Sequence, residues 1–206
     1  MSVETWLAFA AASAVLLVIP GPTILLVVSY ALGRGWRVAA PVATGVALGD
    51  LTAMTLSMLG VGALLAGSAT LFTVVKWVGA GYLVWLGVKL WRAGAVLETA
   101  ARSEPVAARR MLAHAWLVTT LNPKSIVFFV AFLPQFLDPG RPFWTQMAVF
   151  EATFVTLAFA NAFGYALLAA RARRLASSPR ALRILNRAGG TALIAAGAAA
   201  VTVRAA

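Results

Sequence analysis

The sequence predicts an all-α integral membrane protein with six transmembrane helices in a single membrane domain. Of its 206 residues, 62% are apolar and 11% are charged, and the mean hydropathy is +0.89, which is too apolar for an ordinary soluble domain. The apolar residues form stretches of the length that a bilayer requires, about 20 residues each. The predicted spans are 6–31, 38–66, 70–91, 112–137, 143–170 and 188–204.

The first span contains the motif Pro20-Gly21-Pro22. Proline removes a backbone donor, and in lipid every N–H and C=O group needs a partner. We therefore expect a broken helix whose break is buried in protein or lines a cavity. A half-helix that begins near Thr23 would present free N–H groups, which favour a carboxylate. The alternative is a kink that neighbouring helices heal.

The second span carries Gly45, Gly49 and Asp50. Small residues four apart lie on one helix face and allow close approach of another backbone. The pair predicts either a sliding contact against the broken first helix or simple tight packing.

Asp50 is the main candidate for function. An ionised acid at the centre of a membrane helix costs roughly 2.5–3.5 kcal/mol on insertion scales, so it should face the interior of the protein. We predict that Asp50 is a proton-coupling site or binds a substrate amine. The alternative is a structural acid that is permanently paired with Lys124 or with the N–H groups of a helix break.

The fourth span contains a second break, Asn122-Pro123-Lys124-Ser125. Asn122 is expected to cap the following half-helix, and Ser125 adds a second polar group. We predict that both breaks, residues 20–23 and 122–125, contribute to a substrate site. Lys124 either pairs with Asp50 or extends to the membrane interface.

Glu151 and Asn161 lie in the fifth span. Both are candidates for a polar transport pathway, and both could instead hold helices together.

In the third and sixth spans, Gly79 and Gly87 have the same spacing as Gly189 and Gly197.

The two halves of the chain show similar features at similar offsets. Prolines lie at 20 and 123, and intramembrane acids lie at 50 and 151. Three spans per half would insert the halves in opposite senses, as in transporters with inverted repeats. We predict repeats at 1–92 and 112–206, joined by a cytoplasmic linker at 93–111, with helices 1 and 4 broken at proline. Chance similarity among glycine-rich apolar helices is the alternative.

The net charge of +11 reflects membrane topology, because the basic residues cluster on one side of the predicted spans. This pattern predicts a bacterial inner-membrane protein with both termini outside. It favours contact with anionic lipid and does not indicate a nucleic-acid partner. The N-terminal segment lacks the basic start of a secretory leader, so we expect it to remain as the first span. The 13 inner residues are Arg34, Arg37, Lys89, Arg92, Arg102, Arg109, Arg110, Arg171, Arg173, Arg174, Arg180, Arg183 and Arg187, against Lys76, Arg141 and Arg204 outside.

Several sequence motifs resemble those of the lysine exporter and homoserine/threonine resistance family (LysE/RhtB) of amino-acid exporters. The resemblance covers nearly the whole chain in order, and it implies an exporter without indicating the solute. Glu151 is not among the matched positions, so its role rests on this sequence alone. The matching residues are Pro20-Gly21-Pro22, Gly45, Gly49, Asp50, Lys76, Gly79, Gly81, Tyr82, Leu83, Gly87, Lys89, Asn122-Pro123-Lys124, Phe128-Phe129, Leu133-Pro134-Gln135-Phe136, Arg187, Gly189 and Gly190.

The function that we predict is export of an amino acid or a close derivative by proton antiport, without a cofactor. A channel-like or non-transporting membrane subunit is the alternative. An intramembrane enzyme is less favoured, because the spans hold no nucleophile–base pair. A metal site is not expected, since there is no cysteine and His114 is the single histidine. Homo-oligomerisation is left open.

Overall fold

The computed structural model describes residues 1–67 and 107–171, with single helical positions between 74 and 92 and between 184 and 198. Every element in this part of the chain is helical. The elements are α1 (Val3–Val18), α2 (Pro22–Arg34), a 3-10 turn (Trp36–Val38), α3 (Ala39–Gly67), α4 (Ala108–Thr120), α5 (Pro123–Val127), a π-helical turn (Phe128–Phe132), a second 3-10 turn (Leu133–Phe136) and α6 (Phe143–Arg171).

Both predicted breaks are present. The axes of α1 and α2 differ by 54°, and the axis of α4 differs by 43° from that of the segment Pro123–Phe136. Within the described residues, the segments Trp36–Gly60 and Phe143–Arg171 are each long and apolar enough to cross a membrane, and each bent pair passes the same test when taken as one span. The limits of these spans lie within a few residues of the prediction, except that α4 already begins at Ala108, inside the predicted linker.

The contacts between helices fix their relative directions. Trp6 of α1 bonds to Thr153 of α6, and Leu17 further along α1 bonds to Asn161, so α1 and α6 run the same way. Thr23 and Tyr30 of α2 meet Thr119 and His114 of α4 in reverse order, so these two helices are antiparallel.

Gly45 and Gly49 bring α3 against α4. A Cβ atom on Gly45 would overlap the carbonyl oxygen of Leu112, and one on Gly49 would come within 2.7 Å of the Cβ atom of Thr119. Both glycines therefore pack tightly on the first part of the broken fourth helix, and the alternative of a contact with the broken first helix is not what their nearest neighbours show. The order of these contacts also makes α3 parallel to α4 and, in consequence, antiparallel to α6.

In the described part of the bundle, the buried apolar side chains form two cores. One is rich in aromatic side chains, including Phe9, Phe129, Phe150 and Phe154. The other consists mainly of alanine and valine from α2, α3, α4 and α6. The two breaks and their polar side chains lie between these cores.

Most positions of the predicted third and sixth spans, and the linker up to residue 106, lie outside the described residues. The predictions for Gly79, Gly87, Gly189 and Gly197 belong to that part of the chain.

Candidate functional site

A buried polar cluster occupies the region where the two broken helices cross. Each of its members comes from a helix end or from the helix beside it, and none exposes more than 7% of its surface. The cluster comprises Thr23, Asp50, Thr119, Asn122, Lys124 and Ser125. Five of these six were predicted as site residues, and the structure brings those five together.

Asn122 joins the two breaks. Its side-chain oxygen accepts a hydrogen bond from the backbone N–H of Lys124 at 3.2 Å, so it caps α5 as expected. Its side-chain nitrogen donates to the hydroxyl of Thr23 at 3.0 Å. The first turn of α2 is thereby held against the first turn of α5.

The start of α2 offers free backbone donors. Gly21 precedes the helix in extended conformation, and no side chain among the described residues caps it. Since the first N–H groups of a helix have no intrahelical acceptor, this end of α2 is suited to an anionic ligand. The neighbouring Thr23 hydroxyl adds a polar group beside it.

Lys124 neither reaches the membrane interface nor forms a direct ion pair. Its ammonium group donates to the carbonyl oxygens of Leu16 at 2.9 Å and Ile19 at 2.8 Å. Within the described part of the chain, no salt bridge of 4.0 Å or less connects it to the carboxyl group of Asp50. The Lys124 ammonium group therefore binds the end of α1 at the first break.

Asp50 is 2% exposed and lies beside Ser125 at the start of α5. Its Oδ1 atom has no hydrogen-bond partner among the described residues. A buried carboxylate oxygen without a partner is costly, and buried groups of this kind are often found where a ligand or proton binds. Asp50 therefore has one oxygen atom without a partner among the described residues, and no salt bridge of 4.0 Å or less to Lys124.

Glu151 and Asn161 occupy different places. Glu151 accepts a hydrogen bond from Thr55 at 2.7 Å and borders a cavity of about 170 Å³ that Trp144 and Met147 also line. Asn161 donates to the carbonyl oxygen of Leu17 at 2.9 Å. Asp50 and Glu151 therefore lie in different surroundings, although they have similar positions in the two halves of the chain. The α6 residue that lies at a helix break is Asn161, beside the end of α1.

The sequence analysis missed two polar residues at the breaks. Thr119 donates to Thr23 at 3.3 Å, and Tyr165 donates to the carbonyl oxygen of Val18 at 2.7 Å. Neither belongs to a motif. Thr119 has no other sequence signal, while the signal for Tyr165 is that it lies four residues after Asn161 and therefore on the same face of α6.

Comparison with known families agrees with this architecture. Residues 14–203 match the family described as LysE type translocator. The chain belongs to that family. The LysE type translocators are transporters. The polar cluster of this chain is therefore part of a transporter and not the active site of an enzyme. Among the described residues, no group of three or more His, Cys, Asp or Glu side chains could hold a metal ion.

Relatives of this LysE type translocator include proteins with and without a named substrate. A protein of Vibrio cholerae serotype O1, named only as a membrane protein, is 37% identical over the full length of both chains. The homoserine/homoserine lactone efflux protein of Salmonella typhi is 32% identical over 99% of both chains. The leucine efflux protein of Enterobacter sp. (strain 638) is 36% identical over 60% of this chain and 59% of its own. No solved structure matches the chain.

Proposed function

We propose that this translocator exports an amino acid or a close derivative in exchange for protons. The observation that carries the proposal is the position of Asp50: a buried carboxylate with one unpartnered oxygen, at the crossing of two broken helices. The names of relatives that match 99% or 60% of the chain, for homoserine and for leucine efflux, support an amino-acid substrate.

The proposed architecture has two inverted three-helix repeats, 1–92 and 112–206, linked by a cytoplasmic segment. Two relations support it: α2 is antiparallel to α4, and α3 is antiparallel to α6. Each half therefore supplies one broken and one straight helix, and corresponding helices run in opposite directions. Repeats of this kind place the substrate site near the middle of the bilayer.

The substrate would bind through both of its charged ends. Its carboxylate meets the uncapped start of α2 at Pro22 and Thr23, where free N–H groups and the helix dipole favour an anion. Its ammonium group meets Asp50, whose Oδ1 atom is available as an acceptor. Asn122 and Ser125 complete the polar lining between these two points.

Proton coupling would follow because a proton and the substrate ammonium group compete for the carboxylate of Asp50. On the outer side, a proton that binds the carboxylate releases the substrate amine. On the inner side, Asp50 loses that proton to the cytoplasm and binds the next amine, so one proton enters for each substrate exported. In the present conformation the side chains of the cluster are buried, and Glu151 lies beside a cavity that would serve as an outer part of the pathway.

The proposed location is the bacterial inner membrane with both termini outside. The asymmetric distribution of Lys and Arg supports this orientation. Contacts of these residues with anionic lipid would hold the cytoplasmic ends of the helices at the headgroups.

Transport into inverted membrane vesicles tests the proposal. Labelled homoserine and leucine are offered with and without an imposed proton gradient, to the parent chain, to Asp50→Asn and to Glu4→Gln as an exposed control. We expect gradient-driven uptake in the parent and in Glu4→Gln, and none in Asp50→Asn although that variant still inserts.

Gradient-driven uptake by Asp50→Asn would remove Asp50 from the mechanism. Flux that shows neither counterflow nor dependence on the proton gradient would instead identify a channel. Absence of flux for every amino acid in the parent chain would refute the substrate class.

A further inference from the structure

The C-terminal end of α1 is followed by two residues that have no backbone N–H group to donate to its last carbonyl groups. The last four carbonyl groups of a helix have no partner within the helix. Continuing α1 would require N–H groups at residues 20 and 22 for the carbonyls of Leu16 and Val18. Both positions are proline, which has no N–H group.

Side chains from α5 and α6 donate hydrogen bonds to the four carbonyl groups of residues 16–19. Lys124 of α5 donates to Leu16 and Ile19, at 2.9 and 2.8 Å. From α6, Asn161 donates to Leu17 at 2.9 Å and Tyr165 donates to Val18 at 2.7 Å. The run of acceptors from residue 16 to 19 is thus completely satisfied by three side chains.

The second break is built differently. At the end of α4, the N–H of Leu121 bonds to Leu117 and the N–H of Asn122 bonds to Thr119, so the backbone itself supplies the donors. The side chain of Asn122 then caps α5 locally. Among the described residues, the carbonyls of Leu117 and Thr119 at the second break thus have backbone donors, whereas the carbonyls of residues 16–19 at the first break have side-chain donors from other helices.

We propose that Lys124, Asn161 and Tyr165 form a clamp that fixes the angle between α1 and α2, and that they are positioning residues for transport. Since unsatisfied carbonyls are strongly unfavourable in lipid, the clamp determines where the end of α1 lies. It thereby sets the direction in which the first turn of α2 faces the polar cluster. The transport part of this inference rests on the proposed function.

Spin-label distances measure the clamp directly. The chain contains no cysteine, so Leu7→Cys on α1 and Gly33→Cys on α2 can be labelled without background. Leu7 is 54% exposed, and a Cβ atom on Gly33 meets nothing within 4 Å. Distance distributions are recorded in proteoliposomes for the parent pair and after Tyr165→Phe or Asn161→Leu.

Tyr30→Phe is the matched control. It removes a tyrosine hydroxyl that bonds to His114 at 2.9 Å, away from both breaks. We expect Tyr165→Phe and Asn161→Leu to broaden the distribution or shift its mean, and Tyr30→Phe to leave it unchanged. Distributions like that of the parent in both clamp variants would overturn the proposal, and Tyr165→Phe alone decides if Asn161→Leu does not fold.

Uptake kinetics with labelled homoserine and leucine test the positioning role. We expect Tyr165→Phe to raise KM several-fold with a smaller change in maximal rate, because the carboxylate site is misdirected while Asp50 is intact. An unchanged KM would remove the positioning role. Failure of the parent chain to transport any amino acid would refute the proposed function, while the distance measurements would still decide whether the clamp exists.

Discussion

Asp50 and Glu151 are both acids inside the bundle, yet the helices hold them in opposite ways. Asp50 lies where α3 packs closely on α4, and its Oδ1 atom has no partner among the described residues. Glu151 is half-buried at a level where α3 and α6 leave a cavity of about 170 Å³, and a Thr55 hydroxyl bonds to it.

This difference indicates that residue type alone does not define an intramembrane site. At the level of Asp50, a methyl group on Gly49 would meet the Cβ atom of Thr119 and the carbonyl oxygen of Trp116 at 2.7 Å, so shape is constrained as well as charge. At the Glu151 level, water and side chains can adjust, and charge is the main constraint. Substitutions at the two levels should therefore differ in size of effect.

Among the variants that test this contrast, the largest effect is expected from Asp50→Glu, which keeps the charge and adds one methylene. Overpacking a dense interior costs about 1–3 kcal/mol, and we expect this strain to displace the carboxylate from the substrate amine, where each ~1.4 kcal/mol added to the transport barrier is a factor of ten in rate. We expect gradient-driven uptake to fall tenfold or more. The matched change Glu151→Asp should alter uptake little; equal losses in the two variants would contradict the contrast between the levels.

Next in size is Gly49→Ala, compared with Gly60→Ala further along the same helix. A Cβ atom on Gly49 would lie 2.7 Å from Thr119 and from the carbonyl oxygen of Trp116, whereas one on Gly60 meets nothing within 4 Å. We expect Gly49→Ala to lower the melting temperature in detergent. Gly60→Ala should raise it slightly, since alanine is favoured over glycine in a helix by about 0.5–1 kcal/mol. A stabilising Gly49→Ala would show that α3 and α4 can separate freely.

A smaller effect is expected from Glu151→Gln, which removes the charge but keeps an acceptor for Thr55. Since partly exposed ionic interactions contribute about 1 kcal/mol or less, we expect KM to rise no more than about fivefold. Proton dependence should remain, because Asp50 is intact. Loss of gradient dependence in this variant would move the coupling role from Asp50 to Glu151.

The smallest change is expected from Thr55→Val. It removes one hydrogen bond with a net value of about 0.5–1.5 kcal/mol, and water in the adjoining cavity can replace the lost donor. KM should rise less than in Glu151→Gln. A larger rise than in that variant would mean that the hydroxyl itself contacts the transported solute.

Local chemistry in the sequence predicted the breaks well. Pro20 follows the end of α1, and Pro22 and Pro123 stand at the first positions of α2 and α5, where proline is favoured. Asn122, which precedes Pro123, is a favoured helix cap. The residues of the polar cluster were therefore identified from motifs, apart from Thr119. The limits of the described spans followed from where apolar runs end.

Helix rotation and helix partners were not predictable in the same way. A helix that is apolar around its circumference gives no signal for its buried face. For that reason the sequence left open which helix Gly45 and Gly49 contact, and it did not indicate the carbonyl groups that accept hydrogen bonds from Lys124. Tyr165 was missed because a lone tyrosine near a helix end resembles an interfacial aromatic residue.

The length of α6 bears on the membrane that suits this protein. With 29 residues, α6 is about 43 Å long, which exceeds the roughly 30 Å of a typical hydrocarbon layer. The helix must then tilt or extend into the headgroups, with Trp144 near one end and Arg171 at the other. Because a helix tilts to reduce hydrophobic mismatch, the acyl-chain length of the surrounding lipid should change the tilt of α6.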